Sequence, residues 1–408
     1  MLMMSVLYKQ IVQKSKEYEP ATVSFLMDMV RIPSPSCQEK NVVQRIKEEM
    51  EKVGFDQVRI DGLGNVIGSI GSGPRVIAFD AHIDTVGTGD LAAWKGGGPF
   101  ETRIEDGKVW GRGTVDQEGG MASMVYAGKI IKEMNLNDQF TLFFTGTVME
   151  EDCDGLCWQY LIKEEKIRPE LVVITEPTNM NICRGHRGRM EIRVAFNGRS
   201  CHGSAPERGD NAIYKAARAA LEIEKLNDRI RHDPFLGKGT VTVTQATSSS
   251  PSLCAVADGA ALHLDRRLTL GETKESAVAE VADAVKRAGL NETDFKVEVL
   301  QYAEKAYTGL VYPAEKYYPT WAMPEDSPHL KQAVEAYKGV FAKEPLVDKW
   351  TFSTNGVATA GMHGIPTLGL GPGNEVHAHA PNEACPVEHL SGAAAFYAAL
   401  VARMNGKI

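Results

Sequence analysis

Histidines and acidic residues follow the apolar runs of this sequence, in positions where their side chains could bind metal ions. The runs are VIAFD at 76–80, FTLFFT at 140–145 and LVVIT at 171–175. The residues that follow them are His82 and Asp84 after the first run, Glu150 and Glu151 after the second, and Glu176 after the third. A later run, PTLGLG, leads to His377 and His379. Because ligands of open α/β sheets bind outside the carboxyl ends of the strands, we expect these residues at one edge of a sheet.

The number of carboxylates predicts that cations lie at this edge. Five acids would come close together there: Asp84, Asp116, Glu150, Glu151 and Glu176. Carboxylates crowded in this way cannot all remain ionised unless cations neutralise them. Two divalent ions would supply four positive charges, and a set of histidine and carboxylate ligands suits Zn²⁺, with Co²⁺ or Mn²⁺ as alternatives.

Each of these elements alone has an ordinary interpretation. The acids at 150–152 are typical of a solvated turn, and Glu176, which precedes Pro177, is a plausible strand end. A histidine two residues from an aspartate, as in His82 and Asp84, often occurs by chance. Their joint placement behind apolar runs is what favours a metal site.

The pattern of elements predicts an α/β fold for the first part of the chain. Short, continuous apolar runs suit strands that are buried on both faces, as in a parallel sheet covered by helices. Residues 21–31, 40–53 and 118–134 have the apolar spacing of helices. Alternation of strand, helix and strand is typical of an open α/β sheet.

The middle of the chain has a different pattern, which predicts an inserted domain. From 189 to 300 the order is strand, helix, strand, strand, helix, strand, the plan of a small ferredoxin-like α+β domain. A Tyr- and Pro-rich stretch at 302–324 follows, and helices and a strand then resume. We therefore predict a discontinuous large domain, 1–186 and 301–408, with a second domain, 187–300, inserted into it.

Composition limits the partners and the compartment. The 408 residues carry a formal net charge of −8, which argues against nucleic acid or an anionic membrane as a partner. The N-terminus lacks the pattern of a signal peptide, and no apolar stretch has the length of a membrane helix. The seven cysteines have no disulfide framework or zinc-finger spacing. We therefore expect a cytoplasmic protein with reduced thiols.

Several strings of the sequence resemble peptidase family M20, which includes aminoacylases, succinyl-diaminopimelate desuccinylase, acetylornithine deacetylase and glutamate carboxypeptidases. The matching strings are AHIDTV (81–86), GRGTVDQEGG (111–120), MEED (149–152), TEPT (175–178), GRSCHGSAPERGDNAI (198–213), DRRLTLGE (265–272) and HAPNE (379–383). They occur in the family's order and span most of the chain. The resemblance implies a zinc-peptidase α/β domain with a mixed, mostly parallel sheet and an inserted dimerisation domain. Over its whole length, the sequence most resembles the subgroup of hydrolases that is linked to selenium metabolism.

The same resemblance implies a role for each metal-site residue. Asp116 would bridge the two metals, His82 and Glu176 would complete one shell, and Glu151 and His379 the other. Asp84 would hydrogen-bond and orient His82. Glu150 would be the general base, taking a proton from a metal-bridged water and returning it to the departing nitrogen. His377 matches no ligand position.

The resemblance also implies residues that contact the substrate. His202, on the inserted domain, would stabilise the oxyanion, often across a homodimer formed through that domain. Arg187 and Arg267 match positions that hold substrate carboxylates, and a guanidinium binds a carboxylate well. A packed or surface histidine and surface salt bridges are the alternatives for these three residues. The sequence departs from its relatives near Cys254 and in the loop 354–358, and both places adjoin the substrate pocket.

We therefore expect a dinuclear-metal hydrolase of an amide bond in an N-acyl or N-carbamoyl amino acid or a short peptide, a small substrate with a carboxylate. Two other readings compete with it. An aminopeptidase of related fold would select a free amino terminus, whereas Arg187 and Arg267 favour a carboxylate. A non-catalytic dimeric binding protein would be expected to lack Glu150 or a metal ligand, and none is missing.

Overall fold

The computed structural model describes residues 2–408, with side chains from Val6 onward. The helices in this part of the chain are Leu2–Val30 (α1), Lys40–Lys52 (α2), Glu118–Glu133 (α3), Leu156–Lys163 (α4), Ala212–Leu226 (α5), Lys274–Arg287 (α6), Pro328–Phe341 (α7) and Val387–Met404 (α8). The strands of the two large sheets are Gln57–Ile60 (β1), Val66–Ile70 (β2), Arg75–His82 (β3), Phe140–Thr147 (β4), Leu171–Ile174 (β5), Ile182–Cys183 (β6), Gly188–Asn197 (β7), Thr240–Ser249 (β8), Gly259–Leu268 (β9), Phe295–Val299 (β10), Tyr317–Tyr318 (β11), Val347–Asp348 (β12) and Thr367–Gly369 (β13).

Shorter strands complete the architecture. They form a three-stranded sheet of Arg103–Glu105, Lys108–Trp110 and Ala384–Pro386, and the pairs Gly185–His186 with Trp321–Ala322, His232–Asp233 with Gly237–Lys238, and Gln301–Tyr302 with Ala314–Glu315.

The central sheet is mixed, with parallel strands in its middle. Its strand order is β1-β2-β4-β3-β5-β13-β6-β12. β4, β3, β5 and β13 run parallel, whereas β1 and β2 pair antiparallel at one side. The parallel strands carry the continuous apolar runs, and all four residues of β5 are buried. The α/β fold with a mixed sheet, predicted from the sequence, is confirmed.

Close packing at the start of α3 holds this helix against the sheet. A Cβ atom on Gly120 would lie 2.3 Å from the Thr175 Oγ1 atom and 2.6 Å from the Thr175 carbonyl oxygen. Only glycine permits this approach, because no real Cβ atom tolerates such distances. The first turn of α3 is thereby fixed beside the end of β5.

The second sheet has its own hydrophobic core. Its order is β8-β9-β7-β10, and all of these strands pair antiparallel. Along the chain, α5 follows β7 and α6 follows β9, as predicted. Met190, Leu264 and Val281 are among the buried residues of this core, which is separate from the core of the central sheet. The domain boundaries at 187 and 300 remain a prediction.

Two segments differ from the sequence-based expectation. The first helix extends over Leu2–Val30 instead of 21–31, with Pro20 inside it. Its apolar residues pack into the central core, and this tertiary packing outweighs the local effect of proline. The expected linker at 302–324 contains paired strands, and β11 joins the second sheet beside β7.

No helix within residues 2–408 is both long and apolar enough to cross a membrane.

Candidate active site

Three neighbouring parallel strands place candidate metal ligands at one edge of the central sheet. His82 is the last residue of β3. Glu150 and Glu151 follow the end of β4, and Glu176 follows the end of β5. Since β4 and β5 both pair parallel with β3, their carboxyl ends meet at the same edge. The structure thus brings these four residues together as the sequence predicts.

Asp116 lies between two imidazoles. Its Oδ1 atom is 2.8 Å from His82 Nε2, and its Oδ2 atom is 3.2 Å from His379 Nε2. His379 Nε2 also lies 3.0 Å from Glu151 Oε2. Each oxygen of one carboxylate therefore faces a different histidine, which is the arrangement that a residue shared between two cation positions requires.

Glu150 and Glu176 enclose His82 on its other sides. Glu176 Oε1 is 3.6 Å and Glu150 Oε2 is 4.0 Å from His82 Nε2. Both glutamates are buried, and Glu150 Oε1 and Glu176 Oε2 have no hydrogen-bond partner among the described residues. A buried carboxylate oxygen without a partner is unfavourable unless something else binds it.

The protonation of the cluster reflects an excess of buried negative charge. Burial, together with neighbouring carboxylates, raises the pKa of Glu150 and Glu176 well above the usual range. Burial and the nearby Asp116 raise the pKa of Glu151 to about 7. Hydrogen bonds to Asp116 and Glu151 raise the pKa of His379 to about 10. Protons thus take the place that cations would fill.

These residues fit divalent ions in their donor types and in their spacing. The candidate ligand atoms of His82, Glu150 and Glu176 all lie within 4.8 Å of one another, and so do those of His82, Asp116 and Glu151. Imidazole nitrogens and carboxylate oxygens are common ligands of zinc and similar metals. The unpartnered Glu176 oxygen could supply further coordination to such an ion.

Asp84 does not make the contact expected of it. His82 Nδ1 donates to the Asp84 carbonyl oxygen at 2.9 Å, whereas the Asp84 Oδ1 atom is 3.6 Å away. The Asp84 carboxylate instead accepts the backbone N–H groups of Glu150 and Glu151, at 3.1 and 3.0 Å, and the hydroxyl of Ser36. Its main chain therefore orients His82 with Nε2 directed at Asp116, and its side chain holds the loop that carries the two glutamates.

Sequence reasoning missed a buried ion pair that supports Asp116. Glu383 and Arg112 are nearly inaccessible and lie 2.7 Å apart. The Glu383 carboxylate also accepts the backbone N–H groups of Gly113, Val115 and Asp116, at 3.1, 2.7 and 3.0 Å. Both residues lie within the strings GRGTVDQEGG and HAPNE, but nothing in their spacing indicates that they pair.

A cavity of about 340 Å³ opens over the cluster and is large enough for a small molecule. Arg267, which was expected to contact the substrate, lines this cavity, with its guanidinium bound bidentately to Asp265 at 2.7 and 3.0 Å. Arg187 is not among the lining residues and donates to the Lys238 carbonyl oxygen instead. Arg189 and Asp154, neither of which was predicted, are also among the lining residues.

His202 and His377, the other two histidines named in the sequence analysis, are not among the residues that line this cavity. His202 is exposed on a loop of the inserted segment, where its Nδ1 atom is 2.7 Å from the Ser204 hydroxyl. His377 ends a short 3₁₀ turn near the cavity mouth and has no assigned role.

Comparison with known proteins defines the class to which this fold and site belong. The model of peptidase family M20/M25/M40 matches residues 78–403. The chain therefore belongs to this family, and it is a metal-dependent amidohydrolase or peptidase that uses divalent metal ions. The family resemblance stated from the sequence is confirmed.

Particular relatives share this chain's length. The uncharacterized protein YgeY of Escherichia coli K12 is 57% identical over 395 residues, covering 96% of each chain. The structure of aminopeptidase PepT from Bacillus cereus superposes with a TM-score of 0.71 at 23% identity, covering 94% of this chain and 98% of that one. YXEP from Bacillus subtilis, described as a dinuclear metal-binding peptidase of the M20 family, gives a TM-score of 0.71 at 14% identity, with coverage of 96% and 100%.

Proposed function

We propose that this chain hydrolyses an amide bond in an N-acyl or N-carbamoyl amino acid or a short peptide, using two divalent metal ions, with zinc as the first candidate. The observation that carries the proposal is the position of Asp116, whose two oxygens face His82 and His379. Glu150 lies beside this group with a buried, unpartnered oxygen.

In this proposal Asp116 is shared by both metals. His82 and Glu176 complete one site, and Glu151 and His379 complete the other. When bound, the two ions would acidify a water molecule and polarise the carbonyl of the scissile amide. The Asp84 carbonyl keeps the Nδ1 atom of His82 protonated and its Nε2 atom available for a metal.

Glu150 is the proposed general base. It is buried at the cavity wall, and its Oε1 atom has no partner among the described residues. It would take a proton from the attacking water and donate it to the leaving nitrogen, so that a neutral amine departs. The Asp84 carboxylate holds the backbone of Glu150 in place for this task.

The proposed substrate is small and carries a carboxylate. A cavity of about 340 Å³ suits an acylated amino acid or a dipeptide better than a long chain. Arg267 lines the same cavity with its guanidinium held by Asp265, and its remaining donors favour an anionic group.

The inserted segment is the proposed site of homodimerisation. On α5, the side chains of Tyr214 and Leu221 are 65% and 59% exposed, and Leu253 on a nearby loop is fully exposed. β8 forms an edge of the second sheet and is largely exposed. Apolar side chains beside an open strand edge are typical of a surface that pairs with another chain. His202 would then act in the partner's cavity.

Mixing two inactive variants tests this arrangement. Glu150→Ala and His202→Ala should each be nearly inactive as homodimers. Co-expressed, they should regain activity, because one subunit keeps Glu150 and its partner supplies His202. A monomer in sedimentation that retains full activity would contradict the dimer.

Chelation and a substrate panel test the proposed reaction. The zinc-loaded protein is assayed on N-acetyl, N-succinyl and N-carbamoyl amino acids and on dipeptides. We expect turnover of at least one class, its loss after chelation and its return with added zinc. A protein that binds no divalent ion at micromolar concentration would contradict the proposal.

An aminopeptidase activity is distinguished by blocked substrates. An amide hydrolase that recognises a carboxylate accepts a blocked amine and rejects a blocked acid, and an aminopeptidase does the reverse. Kinetics on N-acetyl-L-alanyl-L-alanine and L-alanyl-L-alanine amide therefore separate the two functions.

A further inference from the structure

Three arginines lie near the first residues of β7, and they differ in what their guanidinium groups contact. Arg187 donates to the Lys238 carbonyl oxygen, away from the cavity lining. Arg267 is held bidentately by Asp265. Arg189 also lines the cavity, but its Nε atom is buried without a hydrogen-bond partner among the described residues.

The strand register directs the side chains of Arg189 and Arg267 toward the same cavity. The two residues are directly opposite each other in the register of β7 and β9. Side chains of directly opposed residues project from the same face of a sheet. Both therefore reach the wall of the cavity that contains His82 and Asp116.

Arg189 is fixed in position without being saturated by hydrogen bonds. Its guanidinium lies over the ring of Tyr318, 4.7 Å from the ring centre, and its side chain is only 19% exposed. The nearest acid oxygen is Asp154 Oδ2, at 3.5 Å from Arg189 Nε, and this oxygen is also buried without a hydrogen-bond partner in the described chain. Asp154 thus balances the charge of Arg189 without accepting a hydrogen bond from its Nε atom. The Nη2 atom lies 3.9 Å from Glu191 Oε1, which is also beyond hydrogen-bonding distance.

An immobilised guanidinium with free donors is suited to a carboxylate, which can accept two parallel hydrogen bonds from it. A mostly buried cation of this kind gains more from an anionic ligand than an exposed one does. The free donors distinguish Arg189 from Arg187 and Arg267, the two arginines that the family resemblance implies as carboxylate contacts.

We propose that Arg189 binds the carboxylate of the substrate and determines the preference for acidic over neutral substrates. This inference rests on the proposed amide hydrolysis and adds a specificity-determining residue to it. Arg189 belongs to the second sheet, whereas the metal-binding cluster belongs to the central sheet. The substrate's carboxylate and its scissile amide would therefore be held by different parts of the chain.

The test compares substrates that differ only in the carboxylate. The probes are N-acetyl-L-alanine, N-carbamoyl-L-alanine and L-alanyl-L-alanine, each with its C-terminal carboxamide. In zinc-loaded Arg189→Met we expect the KM for the acids to rise roughly 10- to 100-fold, with little change for the carboxamides. The KM of Arg189→Lys for the acids should lie between those of wild type and Arg189→Met, because lysine keeps the charge but lacks the planar guanidinium.

Arg193→Met is the matched control. Arg193 lies on the same strand and the same strand face, pairs loosely with Glu298 at 3.6 Å and is 47% exposed. The Arg193→Met variant should have the same ratio of kcat/KM for the acids to kcat/KM for the carboxamides as wild type. Metal content and Tm establish that each variant is folded, and if Arg189→Met does not fold, the ratio for Arg189→Lys decides.

An unchanged ratio in the folded Arg189 variants would overturn the inference while leaving the amide hydrolysis intact. If the metal-loaded wild type hydrolyses none of the probes, the proposed function fails for them, and calorimetric titration with N-acetyl-L-alanine then tests Arg189 by itself. Equal affinity in wild type and Arg189→Met, or no binding to either, would overturn the inference.

Discussion

Glu383 accepts a hydrogen bond from the backbone N–H of Asp116, with its Oε1 atom 3.0 Å from that nitrogen. The same carboxylate pairs with the buried Arg112 and follows His379 by four residues. One side chain therefore connects the loop that carries Asp116 with the loop that carries His379. The position of Asp116, the proposed shared ligand, therefore depends on Glu383, a residue to which we assign no contact with the substrate.

Glu383→Ala should destabilise the protein and weaken metal binding. It leaves the Arg112 guanidinium buried without its partner, and breaking a buried pair in this way reduces the free energy of unfolding by about 3–5 kcal/mol. Urea unfolding and zinc titration measure the two effects. Glu292→Ala, which removes an exposed partner of Lys286, is the control and should change neither quantity appreciably. Wild-type stability and zinc affinity in Glu383→Ala would refute the role of Glu383.

Asp84→Asn should impair turnover more than metal binding. The substitution replaces one of the two oxygens that accept the N–H groups of Glu150 and Glu151 by an NH₂ group. Loss of such a supporting contact reduces activity by about 10- to 100-fold. Steady-state kinetics and metal analysis separate the two effects, and Ser36→Ala, which removes only the hydroxyl donor to Asp84, should have a smaller effect. A normal kcat in Asp84→Asn would show that this loop needs no such support.

His186 should make the protein less stable in mild acid. Burial lowers its pKa to about 4, and its Nε2 atom accepts a hydrogen bond from Trp321 Nε1 at 2.8 Å. The folded protein thus keeps this histidine neutral, while the unfolded chain takes up a proton below about pH 6.5. Its contribution is fully present above pH 6.5 and is lost as the pH falls toward 4, by roughly 3 kcal/mol.

Urea unfolding at pH 7 and pH 4 checks this effect in wild type and in His186→Gln. The wild type should lose more unfolding free energy between the two pH values than His186→Gln does, while His232→Gln, at an exposed position, should behave like wild type. Equal losses in wild type and His186→Gln would rule out His186 as the source.

The sequence was sufficient to predict the edge of the sheet where the site lies. The apolar runs locate the strands, and parallel strands must end at the same edge, so the convergence of His82, Glu150 and Glu176 follows from pattern alone. The order of strands and helices in the inserted segment was also predictable, because strands with alternating polarity and two amphipathic helices allow few other arrangements.

The contacts of individual side chains were less predictable. Arg187 and Arg189 are two residues apart on one segment, yet only Arg189 lines the cavity, whereas Arg187 donates to the Lys238 carbonyl oxygen. The partner of Glu383 is 271 residues away in sequence. The Asp84 side chain was expected at His82, but the main-chain carbonyl occupies that position, and local sequence carries no information about this choice.

The most direct test of the central claim is the divalent-ion content of dialysed Asp116→Ala, measured by elemental analysis beside wild type and Glu150→Ala. If Asp116 joins two cation positions, wild type and Glu150→Ala should each retain two ions per chain, while Asp116→Ala should lose them. Asp116→Ala that retains both ions with wild-type affinity would contradict a metal centre built around this residue.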